Sequence, residues 1–338
     1  MAESVGRLEI IAGTTDFLLK KETAVVIGKF DGIHIGHRRL LEEILERKKE
    51  GLCACVFTFD PAPAVLFGIS DGRELTTKEE KRLLFERMGV DTLIEFPLNF
   101  TTAAMVPEDF VREVLAERMQ VRFLAAGPDL SFGDKGAGNV ELLERMGPEY
   151  GFTMKIIEKV CLEEPGVIPI CAAEGMTENC GWQDGRLMVS SSCVREQLEA
   201  GRMELVERML GMPYLISGIV SPGKQLGRTL GFPTVNLLPP VTKLLPPNGV
   251  YFSQVRWRNK LYRAISNVGY KPTVANEKVM GVETYLYQFE QQIYGEPIEV
   301  YLRGFRRQEQ QFGSVEALKR QLQDDIAAGE NYGIEARI

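Results

Sequence analysis

Gly28-Lys29-Phe30-Asp31-Gly32-Ile33-His34-Ile35-Gly36-His37 follows an apolar run, Thr23 to Ile27, and leads into a strongly helical stretch, His37 to Gly51. The pattern reads as strand, glycine-containing turn, helix. His34 and His37 are the only two histidines of the chain, and this pattern puts both near a helix N-terminus. Unsatisfied N–H groups and the positive end of the helix dipole favour phosphate there. Two imidazoles three residues apart add hydrogen bonds to charge that develops on it.

Apolar runs and amphipathic helices keep alternating beyond this unit. Strand Leu52 to Phe59 comes first, then a capping box at Thr77 and Glu80 that opens a helix to Met88. Strand Thr92 to Phe96, helix Pro107 to Met119 and strand Val121 to Ala126 follow. The order predicts a doubly wound, Rossmann-like parallel sheet. Ligands bind such sheets beyond the carboxyl ends of the strands, where the histidine loop and the loop Gly127 to Gly133 would lie. Helices Cys193 to Ala200 and Met203 to Leu210 complete this part, and the texture changes near Gly211. Short strands at Tyr214 to Val220, Gly249 to Trp257, Leu261 to Val268, Val282 to Phe289 and Ile298 to Leu302 predict an antiparallel barrel or sandwich. One amphipathic helix, Ser314 to Ala328, closes the chain.

A length of 338 residues exceeds what one core usually organises, so two domains are expected, 1–210 and 211–338. The net charge of -7 argues against nucleic acid as a partner. The N-terminus lacks the apolar core of a signal peptide and no run reaches the length of a membrane span, so a cytoplasmic protein with no membrane partner is expected. The six cysteines, Cys53, Cys55, Cys161, Cys171, Cys180 and Cys193, form no Cys-x-x-Cys pair. Free thiols are the expectation, with Cys53 and Cys55 as small apolar residues on one face of a strand. Residues 159–187 read as an exposed, irregular excursion.

Gly223-Lys224-Gln225-Leu226-Gly227-Arg228-Thr229-Leu230-Gly231 repeats glycine every four residues, which lets backbone approach phosphates closely while Lys224 or Arg228 neutralises charge. It continues as Phe232-Pro233-Thr234-Val235-Asn236. An extended backbone puts Thr234 and Asn236 on one face, a pair of oxygen donors suited to Mg²⁺. On its residues alone, Glu283 reads as a solvated strand position.

His-x-Gly-His after Phe-Asp-Gly resembles nucleotidyltransferases that move a nucleotidyl group onto a phosphate. It also resembles the first signature of class I aminoacyl-tRNA synthetases, but the Lys-rich second signature is absent. Nearly the whole chain resembles the bacterial bifunctional riboflavin kinase and FAD synthetase family. The strings that carry the resemblance are Gly28 to His37, Phe57 to Pro61, Leu75 to Lys81, Gly127 to Gly133, Val189 to Arg195, Gly223 to Asn236, Asn248 to Tyr251, Asn267 to Thr273, Val282-Glu283, Tyr294-Gly295 and Arg307 to Phe312.

The resemblance implies an N-terminal nucleotidyltransferase domain and a C-terminal β-barrel riboflavin kinase domain with its terminal helix. Riboflavin would be phosphorylated to FMN and FMN adenylylated to FAD, each step using ATP and Mg²⁺. Glu283 matches the proposed general base of the kinase, and Thr234 and Asn236 its magnesium ligands. His34, His37 and Arg195 match catalytic positions of the adenylyltransferase, and Ser190, Ser191 and Ser192 a phosphate-contacting element. Gly28, Phe30, Asp31, Gly32, Asp129, Gly223, Gly227, Arg228, Gly231 and Arg307 match nucleotide- and flavin-binding positions. On residues alone, Ser191 and Ser192 read as a helix N-cap.

The chain departs from the family at Ala62, where a His is usual, at Ser192 for Thr, at Leu130 for Phe, and in the long excursion 159–187. These departures raise an alternative, a riboflavin kinase whose first domain serves as a flavin- or nucleotide-binding regulatory module. Oligomeric state is not readable from the sequence.

Overall fold

The structure, a computed structural model, describes residues 7–163, 180–183, 186–223, 227, 230–272 and 278–333. Described residues within Met1–Gly72, Thr77–Pro169 and Trp182–Val189 form one compact unit, and those within Arg73–Thr76, Ile170–Gly181 and Ser190–Ile338 form another.

The first unit is built on a six-stranded sheet of β1 (Glu9–Ala12), β2 (Thr23–Ile27), β3 (Cys53–Asp60), β4 (Thr92–Pro97), β5 (Val121–Ala126) and β6 (Thr153–Ile156). Their order is β1-β4-β3-β2-β5-β6 and every pairing is parallel. From β2 the chain steps outward through β3 and β4, then returns to place β5 on the other side of β2. The direction of winding therefore reverses between β2 and β5, and the crevice beyond their carboxyl ends is the ligand position of such sheets.

All five residues of β2 are buried, as a strand covered on both faces requires. Val25, Ile27, Cys55, Phe57, Ile94, Phe96, Leu124 and Ala126 share one core with Phe110, Val111, Val114 and Leu115. Helix α1 (Ile35–Lys49) packs against β2, β3 and β5 and buries Leu40, Leu41 and Ile44. Cys55 is the small apolar residue expected, and burial pushes its thiol pKa well up.

Helix α2 (Lys78–Met88) starts at the anticipated capping box. The Glu80 amide donates to Thr77 Oγ1 at 3.3 Å and the Thr77 amide to Glu80 Oε2 at 3.0 Å. The helix expected over Pro107 to Met119 is present but mostly π-helical, over Phe110–Arg118, with the Met119 amide donating to the Val114 carbonyl. The elements not foreseen include β1, β6, helix α3 (Val140–Tyr150) and a strand of the second unit described below. Part of the excursion is regular. Strands β7 (Cys161–Leu162), β8 (Trp182–Gln183) and β9 (Arg186–Met188) form a small antiparallel sheet, while 164–179, with Cys171, lies outside the described residues.

The second unit begins with helices α4 (Ser191–Glu199) and α5 (Met203–Leu210). Its sheet joins β10 (Tyr214–Ile219), β11 (Thr234–Leu237), β12 (Gly249–Trp257), β13 (Lys260–Pro272), β14 (Lys278–Leu286) and β15 (Pro297–Gln308) in the order β10-β15-β12-β13-β14-β11, all antiparallel. The sheet curls into a barrel until its edges meet, where the Ser221 amide donates to the Asn236 carbonyl at 2.9 Å. Closure removes exposed edges. The terminal helix α6 (Val315–Asn331) is pinned to the sheet by buried Asp325, which holds Arg307.

The strap Arg73–Thr76 belongs to this unit. The Leu75 carbonyl accepts from the Tyr214 hydroxyl at 3.0 Å and from Lys243 Nζ at 2.7 Å, and Glu74 bridges to Lys243. Cys180 and Cys193 are disulfide-bonded, which corrects the expectation of free thiols for this pair. Cys53, Cys55 and Cys161 are free.

Thr77→Ala removes one side of the capping box and is expected to lower stability by about 1 kcal/mol, read as a shifted denaturant midpoint. Thr77→Ser is expected to restore it.

Candidate functional site

The loop between β2 and α1 is held in an uncommon backbone. Phe30, Gly32 and Ile33 all have positive φ, at 50°, 88° and 42°, a pattern that clusters at ligand clamps. The Phe30 ring is fully buried, with Phe85 edge-on at 5.4 Å and the His37 ring at 5.0 Å. A Cβ on Gly28 would sit 3.1 Å from the Phe30 ring, a tight contact that favours glycine there. The Phe30 side chain is thus core, and only its backbone is left to meet a ligand.

His34 is the N-cap of α1, and its Nδ1 accepts the His37 amide at 3.4 Å. An imidazole does here what Ser or Asp usually does. Its ring stacks on that of His37 with centroids 3.8 Å apart. A Cβ on Gly36 would come within 3.1 Å of the His34 ring, which explains the glycine inside His-Ile-Gly-His. Burial pushes His34 down to about 4, against the opposing charges of Asp31 and Asp129. His37 is also held well below the usual imidazole range, by burial and by His34, and its Nδ1 is buried without a hydrogen-bond partner. Both rings are neutral at pH 7. With Nδ1 of His34 accepting, the hydrogen of the neutral ring belongs on Nε2, which makes that atom a donor.

The influence of Asp129 on His34 places the Gly127 to Gly133 loop beside the histidines, as the switch in winding requires. Asp129 is ion-paired to Lys159 at 3.2 Å. Leu130 of this loop packs against the sheet core, and Ala62 caps the short helix Pro63–Leu66 with no side-chain hydrogen bond. Sequence reasoning passed over Arg38, in the first turn of α1. That turn carries no acidic residue, and a cation there opposes the helix dipole.

In the second unit Ser190, rather than Ser191 or Ser192, is the N-cap of α4, accepting the Cys193 amide at 3.2 Å. Arg195 Nη2 donates to the Arg73 carbonyl at 2.6 Å. These residues lie in the second compact unit and the histidine pair in the first.

On the barrel, Val235 and Leu237 turn inward and are buried, which leaves Thr234 and Asn236 on the opposite face of β11. Thr234 Oγ1 donates to Glu283 Oε1 at 2.7 Å, so Glu283 is engaged and not merely solvated. Asn236 lies directly across from Glu283. A cavity of about 210 Å³ opens beside them, lined by Gly223, Thr234, Asn236, Phe289 and Tyr294 among others. A Cβ on Gly223 would overlap the Asn236 amide, and one on Gly227 the Phe232 carbonyl. Gly231 has φ +90°. Lys224 and Arg228 lie outside the described residues. Arg307 gives Nε and Nη2 to Asp325 and Nη1 to the Gln308 carbonyl, so its guanidinium latches α6 to β15.

Comparison with known proteins agrees with this architecture. Residues 18–168 match the FAD synthetase family model and residues 210–332 the riboflavin kinase model. The class is thus a two-domain, ATP-using transferase of flavin metabolism. The bifunctional riboflavin kinase/FMN adenylyltransferase of Escherichia coli K12 is 34% identical over 92% of this chain and 93% of its own length. That of Bacillus subtilis 168 is 31% identical over 91% and 92%. The chain belongs to the bifunctional riboflavin kinase/FMN adenylyltransferase family. The crystal structure of a macrolide-efflux protein from Streptococcus pneumoniae superposes with a TM-score of 0.76 and 26% identity, covering 97% of this chain and all of that one. Among the described residues of the present chain no helix is long and apolar enough to cross a membrane.

Two outcomes are expected. Between pH 6.5 and 4 the unfolded chain binds a proton at His34 that the folded chain refuses. Stability is therefore full above about pH 6.5 and falls with pH, by on the order of 3 kcal/mol from this group. In denaturation series, His34→Asn keeps a cap and flattens that slope. Gly36→Ala pushes the His34 ring out of register, and is expected to lower FAD formation at least about tenfold with FMN formation unchanged, in rate assays of each step.

Proposed function

We propose that the two reactions are divided between residues 1–210 and 211–338, with a separate ATP used in each. The observation that carries the proposal is the stacked His34–His37 pair capping α1 at the sheet's change of winding, in a chain that spans more than nine-tenths of relatives named for both activities. That span favours a bifunctional enzyme over a kinase with a purely regulatory first domain.

In the kinase step Glu283 accepts the proton of the riboflavin 5′-hydroxyl as its oxygen attacks the γ-phosphorus, and the bridging oxygen leaves with ADP. Thr234 orients that carboxylate through its 2.7 Å hydrogen bond. Its hydroxyl hydrogen is spent on Glu283, so its lone pairs and the amide oxygen of Asn236 supply the hard donors that suit Mg²⁺. Bound there, the ion neutralises phosphate charge. Gly223, Gly227 and Gly231 cradle the nucleotide by close backbone approach, and Arg228 matches a nucleotide-binding position of the family. Arg307 serves this site by fastening α6, and supports the flavin indirectly.

In the adenylyl step an oxygen of the FMN phosphate attacks the α-phosphorus of ATP and the bond to pyrophosphate breaks. His34 donates from Nε2 to oxygen on which charge accumulates, and the adjoining His37 and the N-terminal amides of α1 share that load. A neutral imidazole donor suits this task, because it stabilises charge without yielding its proton. Gly28, Asp31, Gly32 and Asp129 shape the crevice. Ser190, Ser191, Ser192 and Arg195 match the family's phosphate-contacting element and carry hydroxyl and guanidinium donors suited to phosphate. The proposed setting is the cytoplasm, where ATP and Mg²⁺ are at hand.

Purified protein given riboflavin, ATP and Mg²⁺ is expected to form FMN and then FAD, resolved by chromatography over time. His34→Ala and His37→Ala are expected to abolish FAD formation and spare FMN formation. Glu283→Ala is expected to do the reverse when FMN is supplied. One substitution that eliminated both reactions in folded protein would overturn the division.

A further inference from the structure

The outer face of the barrel carries a row that phosphoryl transfer, as described so far, uses only in part. Asn236 on β11 pairs with Glu283 on β14, and Glu283 pairs with Asn267 on β13. Residues directly opposed in an antiparallel sheet point to the same face, with Cβ atoms roughly 5 Å apart. Glu283 is thus bracketed by two carboxamides. On the β11 side Thr234 fixes it by hydrogen bond; on the β13 side its neighbour is Asn267.

Asn267 is itself held. Its Nδ2 donates to Glu309 Oε1 at 3.0 Å. Glu309 reaches it across a gap in the sheet surface, because Gly269, two residues on and on the same face, lies opposite Gly281. A Cβ on Gly269 would occupy the space of the Glu309 carboxylate. The glycine pair therefore clears a channel, and the acidic side chain fills it and ends on the amide. A carboxamide tethered through one N–H has its plane set, and with it the edge shown to the next strand. It also keeps a neutral group between two carboxylates that would repel as direct neighbours.

We propose that Asn267, clamped by Glu309, is a positioning residue for the Glu283 carboxylate in riboflavin phosphorylation. The inference rests on the reading of Glu283 as the base. A base a fraction of an ångström out of line keeps its substrate but loses rate, so the signature is a fall in kcat with KM preserved.

The test uses the full-length protein, with FMN formation measured over riboflavin and ATP concentrations, and FAD formation from supplied FMN as the control for folding. Asn267→Ala is expected to lower kcat for FMN about tenfold with both KM values within about twofold. Glu309→Ala and Gly269→Ala are expected to lower it about threefold, whereas Glu309→Gln, which keeps an acceptor oxygen, stays near the parent. The double variant Asn267→Ala/Glu309→Ala is expected to be no slower than Asn267→Ala, as a shared pathway requires. If Asn267→Ala does not fold, Gly269→Ala gives the same measurement, since its methyl meets only the far end of a flexible side chain. A parental kcat in Asn267→Ala or Gly269→Ala, a loss confined to KM, or losses that multiply in the double variant would overturn the proposal. Glu283→Gln separates the two ideas. If it is inactive while Asn267→Ala is unimpaired, positioning alone is wrong; if it is active, the base assignment is wrong.

Discussion

The first unit turns on one hydrogen bond, from the His37 amide to the imidazole of His34. A helix must find acceptors for its first N–H groups, and most recruit a hydroxyl or carboxylate. A carboxylate at this spot would repel phosphate. An imidazole satisfies the amide with one nitrogen and, held neutral by burial, keeps a donor on the other. The neighbouring residues follow from that choice: Gly36 gives the ring room, and Gly28 admits the Phe30 ring against which His37 packs. Cap, chemistry and loop composition are one solution to one constraint.

The barrel solves a different problem, that of presenting polar groups on the outside of a closed sheet without loosening its interior. Alternation along β11 sends Val235 and Leu237 inward and leaves Thr234 and Asn236 outside. Alternation along β14 does the same for Glu283 between buried Val282 and Thr284. The side chains proposed for the kinase step are thus carried on strands, whose geometry is stiffer than that of loops. Gly223 lines the cavity, so close against the Asn236 amide that a Cβ there would overlap it.

Much of this was legible in the residues. Strands β2, β5 and β12 and helix α5 fall where periodicity puts them, because each is strongly apolar on its buried positions. The histidine pair at a helix start was readable from spacing alone, and the roles proposed for the barrel residues come through family likeness. What escaped had physical reasons. β1 is a mostly exposed edge strand of only four residues, and α3 contains Pro148, a residue that ordinarily breaks helices. β11 was hidden by its length of four residues and its polar half. No spacing rule announces the Cys180–Cys193 bond, and the partnership of Asn267 with Glu309 depends on a register that only the paired strands reveal.

The strap Arg73–Thr76 carries a consequence for how such an enzyme is divided. It lies in the connection between β3 and α2, yet its Leu75 carbonyl receives the Tyr214 hydroxyl and the ammonium of buried Lys243. A fragment cut to begin at residue 211 would keep every strand of the barrel and forfeit that carbonyl, exchanging a made contact for a partly desolvated cation. The boundary that a gene would draw and the boundary that the folded chain respects are not the same line. Modularity here belongs to the chemistry more than to the polypeptide.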